Sequence, residues 1–205
     1  VLERRRKIKV QPLLAVHISE RRDSVKNLSN DISQILVTAD ELQAINKRLG
    51  EQITKDFKDK NLLVIGILKG SIYFMADLTR YIDLPLKLDF LAVSSYGGGT
   101  RSSGAVKIVK DIDINLEGYD ILLVEDILDS GRTLDYVSKM LGARGAKSIS
   151  IATLLDKPDR RVVELTPDYV GCDVPDEFVV GYGLDYDQKY RNLPYIGALS
   201  REIYE

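Results

Sequence analysis

Residues Ile121 to Leu134, ILLVEDILDSGRTL, constrain this chain more than any other stretch. Ile121–Val124 is a continuous aliphatic run, which suits a strand buried on both faces of a parallel sheet. Glu125 and Asp126 follow where that strand emerges at its carboxyl end, the edge at which open α/β sheets bind ligands. Asp129, Ser130, Gly131, Arg132 and Thr133 then lead into the spacing Leu134, Val137, Met140, Leu141, which predicts a helix. Gly131 permits close backbone approach, Ser130 and Thr133 carry hydroxyls, and the first N–H groups of a helix face an anion. These are the parts of a phosphate cradle, with two carboxylates beside it. A bare phosphate would be repelled by Glu125 and Asp126, so the ligand must also offer hydroxyls, a divalent cation, or both. A sugar phosphate bound with magnesium fits. Acid pairs at strand ends also serve as solvated caps or helix N-terminal charges, so the complete pattern carries more weight than the pair.

The rest of the chain repeats the strand-turn-helix arrangement. Thr38-Ala-Asp-Glu41 reads as a capping box, and Leu42, Ile45, Leu49, Ile53 and Phe57 follow on one helical face. Leu62–Leu68 is a second buried strand, ended by Lys69-Gly70 and followed by a helix from Ser71 to Tyr81. Leu86–Val93 is a third. The glycine- and serine-rich stretch Ser94–Gly104 has little capacity to pack and reads as a mobile loop. Val106–Val109 returns from it as a short strand; Ser148–Leu155 is one more buried strand, and Gly145 stands where a helix preceding it would end. This alternation predicts an α/β fold with a mostly parallel sheet. After Lys157-Pro158 the pattern changes to short strands, including Tyr169-Val170 and Phe178–Val180, which predict a small cap over the carboxyl edge of the sheet.

Composition removes several classes of mechanism. The 205 residues, 44% hydrophobic and 29% charged, suit one globular domain with a substantial core. With one histidine, His17, and one cysteine, Cys172, a Cys/His zinc site cannot be assembled within one chain, and a Ser-His-Asp triad would have to use His17. Any metal would have oxygen ligands, which points to magnesium or manganese. Cys172 cannot form an internal disulfide and suits a reducing compartment, as a small core residue. No apolar run is long enough to span a membrane. Residues 1–30 carry a net +5 against −7 for the remainder, and read as a basic, poorly ordered extension without a catalytic role. His17 shares that reading.

The run of hydrophobic strand, two acids, two apolar residues and Asp-Ser-Gly-Arg-Thr resembles the signature with which type I phosphoribosyltransferases bind 5-phosphoribosyl-1-diphosphate (PRPP). Three further stretches appear in the right order: Leu68-Lys69-Gly70, Ser94-Ser95-Tyr96, and Phe178-Val-Val-Gly-Tyr-Gly-Leu-Asp-Tyr186. With them, the chain from about Ile32 onward is similar to the bacterial hypoxanthine (hypoxanthine-guanine) phosphoribosyltransferases. The resemblance implies the type I phosphoribosyltransferase fold in residues 31–205. Helices would flank a twisted sheet, and a hood subdomain would come mainly from residues 157–205 with the segment before the first core helix. It implies transfer of the ribosyl phosphate of PRPP to a 6-oxopurine, with release of pyrophosphate.

The site residues that follow are those the resemblance assigns. Ser130, Gly131, Arg132 and Thr133 would hold the sugar's phosphate, while Glu125 and Asp126 take the ribose hydroxyls and the magnesium ion's water. The side chain of Arg132 could equally face solvent. Lys69 and Gly70, in a turn where the family has a cis peptide, would present backbone groups to pyrophosphate; the Lys69 side chain could equally be an ordinary solvated lysine. Arg191 would neutralise the pyrophosphate charge. Phe178 would stack on the purine, with the Val179 backbone at its edge and Lys157 donating to the 6-oxo group. Asp185 would be a magnesium ligand and help line the base pocket. Asp129 is the expected general base for the purine N7 proton. Ser94, Ser95 and Tyr96 would belong to a lid that keeps water from the reacting sugar.

Small-molecule substrates, a cytoplasmic location and a homodimer or homotetramer complete this expectation, with no membrane and no nucleic acid as partner. A second class remains open: a regulator on the same scaffold that binds PRPP or RNA, supported by the basic first segment. So does a phosphoribosyltransferase for another base. Against the regulator stand the full set of site residues and the net acidity of residues 31–205, which disfavours phosphate-backbone binding.

Overall fold

The computed structural model describes residues 27–95 and 106–205. The two most continuous aliphatic runs lie side by side at the centre of a six-stranded sheet, as β2 (Leu62–Leu68) and β5 (Asp120–Leu128). β3 (Leu86–Ser95) and β4 (Val106–Lys110) extend the sheet on the β2 side, and β6 (Ser148–Asp156) and β7 (Tyr169–Asp173) extend it on the β5 side. All pairs are parallel except β3 with β4. The order β4-β3-β2-β5-β6-β7 therefore reverses direction between β2 and β5. Their carboxyl ends diverge into a crevice at that switch point, where open α/β sheets bind ligands.

Alternation along the central strands feeds two cores. Leu62, Val64, Leu122 and Val124 pack on the side of α1 (Ala39–Asp56) and α2 (Ile72–Leu78), against Leu49, Ile53, Phe57, Phe74 and Leu78. Leu63, Ile65, Ile121 and Leu123 face the opposite side and meet Leu134, Val137 and Leu141 of α3 (Arg132–Ala143). The capping box at Thr38 forms: the Glu41 N–H donates to Thr38 Oγ1 at 3.3 Å, and the Thr38 N–H donates to Glu41 Oε2 at 2.8 Å. Gly145 follows α3 at φ 91°, in the left-handed conformation common at helix ends.

A separate antiparallel sheet joins β1 (Ile32–Val37), β9 (Ile196–Leu199) and β8 (Val179–Val180) in the order β1-β9-β8. It has its own apolar cluster of Val180, Tyr190, Leu193 and Leu199, joined by Ile32, Tyr186, Ile203 and Tyr204.

Two sequence expectations change. The central strand runs on to Leu128, so Glu125 and Asp126 lie within its last residues; pairing with β6 continues through Ile127 and Leu128 and keeps the backbone extended. Tyr169-Val170 does not belong to a cap: β7 is the edge strand of the main sheet. Tyr169 anchors it, buried with its hydroxyl donating to Asp56 at 3.0 Å, and Arg48 caps the Val170 and Gly171 carbonyls at 3.0 and 2.7 Å. Residues 1–26, with His17, and the loop residues Tyr96 to Ala105 lie outside the described residues.

Candidate active site

The loop after β2 touches the end of β5 at the switch point. Gly70 lies so close to the Asp126 carboxylate that a β-carbon at position 70 would collide with it. The peptide bond between Leu68 and Lys69 is cis, as the resemblance implies. Gly183, at φ 108°, packs its α-carbon against the Gly70 carbonyl, where a side chain would also collide. This backbone contact brings the loop carrying Asp185 and Arg191 beside the two acids of β5. Tyr182 fixes the same loop from behind, its hydroxyl donating to Asp77 at 2.6 Å and accepting from Asn46 Nδ2 at 3.0 Å.

The acids are held in an unusual state. Burial, and then the charge of Asp126, push the Glu125 carboxyl well above the ordinary carboxylate range. Burial pushes Asp126 up to about 6, against the pull of the Ile127 N–H, which donates to its Oδ1 at 2.8 Å, and of the Arg191 charge. Glu125 Oε2 is buried and has no hydrogen-bond partner. An orphaned carboxylate oxygen beside a second carboxylate is short of positive charge or donors. A hard divalent cation or a hydroxyl-bearing ligand meets that need, and the all-oxygen donor set suits the former. Among the described residues no three acids cluster closely enough to chelate a metal by themselves, so further donors would come from substrate and water. Asp185 is engaged with Arg191, Oδ1 to Nη2 at 2.7 Å, and accepts from the Gln188 N–H at 2.8 Å. Lys69 reaches the same loop, donating to Gln188 Oε1 at 2.8 Å.

The turn after β5 leads straight into a helix start. Gly131 is the N-cap of α3 at φ 82°, and no side chain caps the first helical N–H groups. They stay available to an anion. A β-carbon at Gly131 would meet Val163 at 2.7 Å and Arg161 at 3.0 Å. The segment that crowds it is a brace: the Val162 N–H donates to the Ser130 carbonyl at 3.1 Å and Arg161 Nη1 to the Asp129 carbonyl at 2.7 Å, while Arg161 Nη2 pairs with Asp156. Arg132 is exposed and borders a different groove, with Tyr136 and Lys139.

Beyond this turn opens a cavity of about 720 Å³, which Asp129, Lys157, Phe178, Val179 and Asp185 all line. Lys157 is only 7% exposed; its ammonium donates to the Glu177 carbonyl at 2.6 Å and lies 3.7 Å from Asp176. Arg160 spans the mouth, with Nε 2.8 Å from Asp129 Oδ1 and Nη1 2.8 Å from Asp176 Oδ1. Arg160 and Asp129 thus meet as an ion pair at the cavity. Ser94 is exposed at the end of β3 and is not part of the lining; Ser95 closes that strand, and Tyr96 lies outside the described residues. Sequence reasoning missed Arg160, Arg161, Ile127, Leu184 and Tyr204. Of these only the Arg160-Arg161 pair, two positive charges close after Lys157-Pro158, carried a readable signal.

The family profile of the phosphoribosyl transferase domain matches residues 33–187. A hypoxanthine-guanine phosphoribosyltransferase of Streptococcus thermophilus is 55% identical over 177 residues, covering 86% of this chain and 98% of that protein. One from Lactococcus lactis is 54% identical over 179 residues, covering 87% and 97%. The crystal structure of a hypoxanthine phosphoribosyltransferase from Staphylococcus aureus superposes with a TM-score of 0.84 at 51% identity, covering 87% of this chain and 97% of that one. A sheet with its switch point between β2 and β5, an uncapped helix start after two acids, and this degree of likeness lead to one conclusion: the chain belongs to the hypoxanthine-guanine phosphoribosyltransferases, within the type I phosphoribosyltransferase fold.

Proposed function

We propose that this chain is a purine salvage enzyme that transfers the 5-phosphoribosyl group of PRPP to hypoxanthine and/or guanine, giving IMP or GMP and pyrophosphate. The observation that carries this reading is the junction of two unlike sites. A helix-start anion cradle with a carboxylate pair opens into a cavity that holds a nearly buried ammonium, an aromatic ring and a further carboxylate.

In this reading the uncapped N–H groups of α3, with Ser130 and Thr133, bind the sugar's phosphate. Glu125 and Asp126 accept hydrogen bonds from the ribose hydroxyls. Their raised proton affinity in the free protein marks an acid pair that awaits a partner. Lys157 donates to the 6-oxo group of the base, Phe178 supplies a stacking face, and the Val179 backbone meets the purine edge. The bond from the anomeric carbon to pyrophosphate breaks as the bond to the purine nitrogen forms. Asp129 takes the N7 proton and steadies the cationic sugar. Arg191, Lys69 and Gly70 bind the departing pyrophosphate. Magnesium would be held by Asp185 and near Glu125 and Asp126, and would neutralise charge on the phosphates.

Residues 31–205 would act as one phosphoribosyltransferase domain with the three-stranded sheet as its hood, the loop at Ser94–Tyr96 as its lid, and residues 1–30 outside the catalytic unit. A cytoplasmic location and a homodimer or homotetramer accompany the reading through the family resemblance. The test is product formation from PRPP and hypoxanthine, guanine, xanthine or adenine, with and without a divalent cation. IMP and GMP formed only with the cation are expected; no product with any base would overturn the proposal.

A further inference from the structure

Phe178 is the ring the reading above gives to the acceptor base, and it does not stand alone. Tyr204 stacks on it, with centroids 5.2 Å apart and an interplanar angle of 29°. Tyr186 meets Phe178 edge-on at 5.5 Å and 88°, and lies 6.5 Å from Tyr204. These three separations put Tyr186 beside the stacked pair, not across Phe178 from Tyr204. Yet Phe178 remains 40% exposed. One of its faces is covered and one edge abutted, and Phe178 and Tyr204 both border the cavity together with Lys157, Ile127 and Leu184.

Tyr204 is itself held in place. The Leu199 N–H of β9 donates to the Phe178 carbonyl at 2.8 Å, and the Ser200 N–H donates to the Asp31 carbonyl at 2.9 Å. A 3₁₀ turn over Arg201–Ile203 follows, and the Tyr204 N–H donates to the Arg201 carbonyl at 3.1 Å. Ile203 and Tyr204 pack on the apolar cluster of the three-stranded sheet. This segment thus fixes a second ring against the first through strand pairing at its base and apolar contact at its tip.

We propose that Tyr204 is a positioning residue for acceptor binding: stacked on one face of Phe178, it sets the plane that ring presents to a planar heteroaromatic base. An unbacked Phe178 would rotate about its side-chain torsions, and the base would meet a moving surface. The ring contacts of Tyr204 are with Phe178 and Tyr186, so the effect is expected on the base. The inference rests on the phosphoribosyltransferase reading and on Phe178 facing the acceptor.

The experiment is steady-state kinetics of the full chain and of Tyr204→Ala and Tyr204→Phe, varying hypoxanthine and PRPP separately. An aromatic pair is worth about 0.5–1.5 kcal/mol, so Tyr204→Ala is expected to raise the KM for hypoxanthine about 2- to 10-fold. The KM for PRPP should not move, and Tyr204→Phe, which keeps the stacked ring, should recover most of the loss. A lower hypoxanthine KM in Tyr204→Ala would overturn the proposal by placing Tyr204 on the acceptor face. An unchanged hypoxanthine KM, or equal damage to both KM values and kcat, would overturn it as well. A wild-type chain without turnover would remove the enzyme reading and this inference together, whereas normal wild-type turnover with an indifferent Tyr204 would remove the inference alone.

Discussion

The two sides of the cleft are built in different ways. In the proposed reading the phosphate and ribose of the donor meet one continuous run, Glu125 to Thr133, at the end of β5 and the start of α3. The acceptor side is gathered from Asp129, Lys157, Glu177 to Val179, Leu184-Asp185, Leu199 and Tyr204, which span most of the second half of the chain and two sheets. The donor side is fixed by the main fold: β2 and β5 pair in register from Leu62–Asp120 to Gly66–Val124, and a misplaced turn would cost that pairing. The acceptor side depends on a three-stranded sheet whose β8 is two residues long, so its placement rests on side-chain contacts such as Tyr182 with Asp77 and Phe178 with Tyr204. A rigid grip on a flexible, charged sugar phosphate and a softer grip on a flat base is the division of labour this suggests.

That division can be broken by substitution. The largest effect is expected at the residue where the two sides meet: Asp129→Asn should lower kcat about 10²-fold or more, the scale of a lost general base, with the PRPP KM little changed. Near-normal single-turnover chemistry would remove Asp129 from that role. Next, Asp126→Asn should raise the PRPP KM about 10- to 100-fold, since hydrogen bonds to a charged acceptor are worth about 1.5–3 kcal/mol, and leave the hypoxanthine KM alone.

The same substitution should stabilise the ligand-free protein. Asp126 has its folded-state pKa raised from 3.8 to about 6, so its contribution to stability is neutral at low pH, falls as pH rises through that interval, and stays unfavourable above it. Replacing it with a neutral isostere removes about 1 kcal/mol of that cost, a few degrees in Tm at pH 8 and nothing at pH 3. Thermal melts at the two pH values decide it, and a lower Tm at pH 8 would contradict the account of the buried acids. The smallest of these effects is expected on the acceptor side: Lys157→Gln should reduce discrimination between hypoxanthine and adenine about tenfold, and unchanged discrimination would count against Lys157 as the donor to the 6-oxo group.

How much could be read in advance follows the same line. The Ile121–Leu134 run declares a buried strand, a turn and a helix because burial, glycine and helix periodicity are local properties. The capping box at Thr38 was legible for the same reason. The end of β5 was not: hydrogen bonds to β6 carry it through Glu125 and Asp126, which no local preference announces. Tyr169-Val170 reads as part of a cap because a short strand has little signal of its own; the place of β7 at the sheet edge is fixed by β6 and by Arg48 from α1. The contacts of Arg160 with Asp129, of Arg161 with the Asp129 carbonyl and of Tyr204 with Phe178 join residues far apart in the chain, so only the structure brings them together.

The central claim is that one cleft has a donor side and an acceptor side that answer to different residues. The most direct test measures the KM for PRPP and for hypoxanthine in the wild type, Asp126→Asn and Lys157→Gln, at saturating divalent cation. The account predicts a double dissociation, with Asp126→Asn raising only the PRPP value and Lys157→Gln only the hypoxanthine value. Both values rising together in both variants would contradict it.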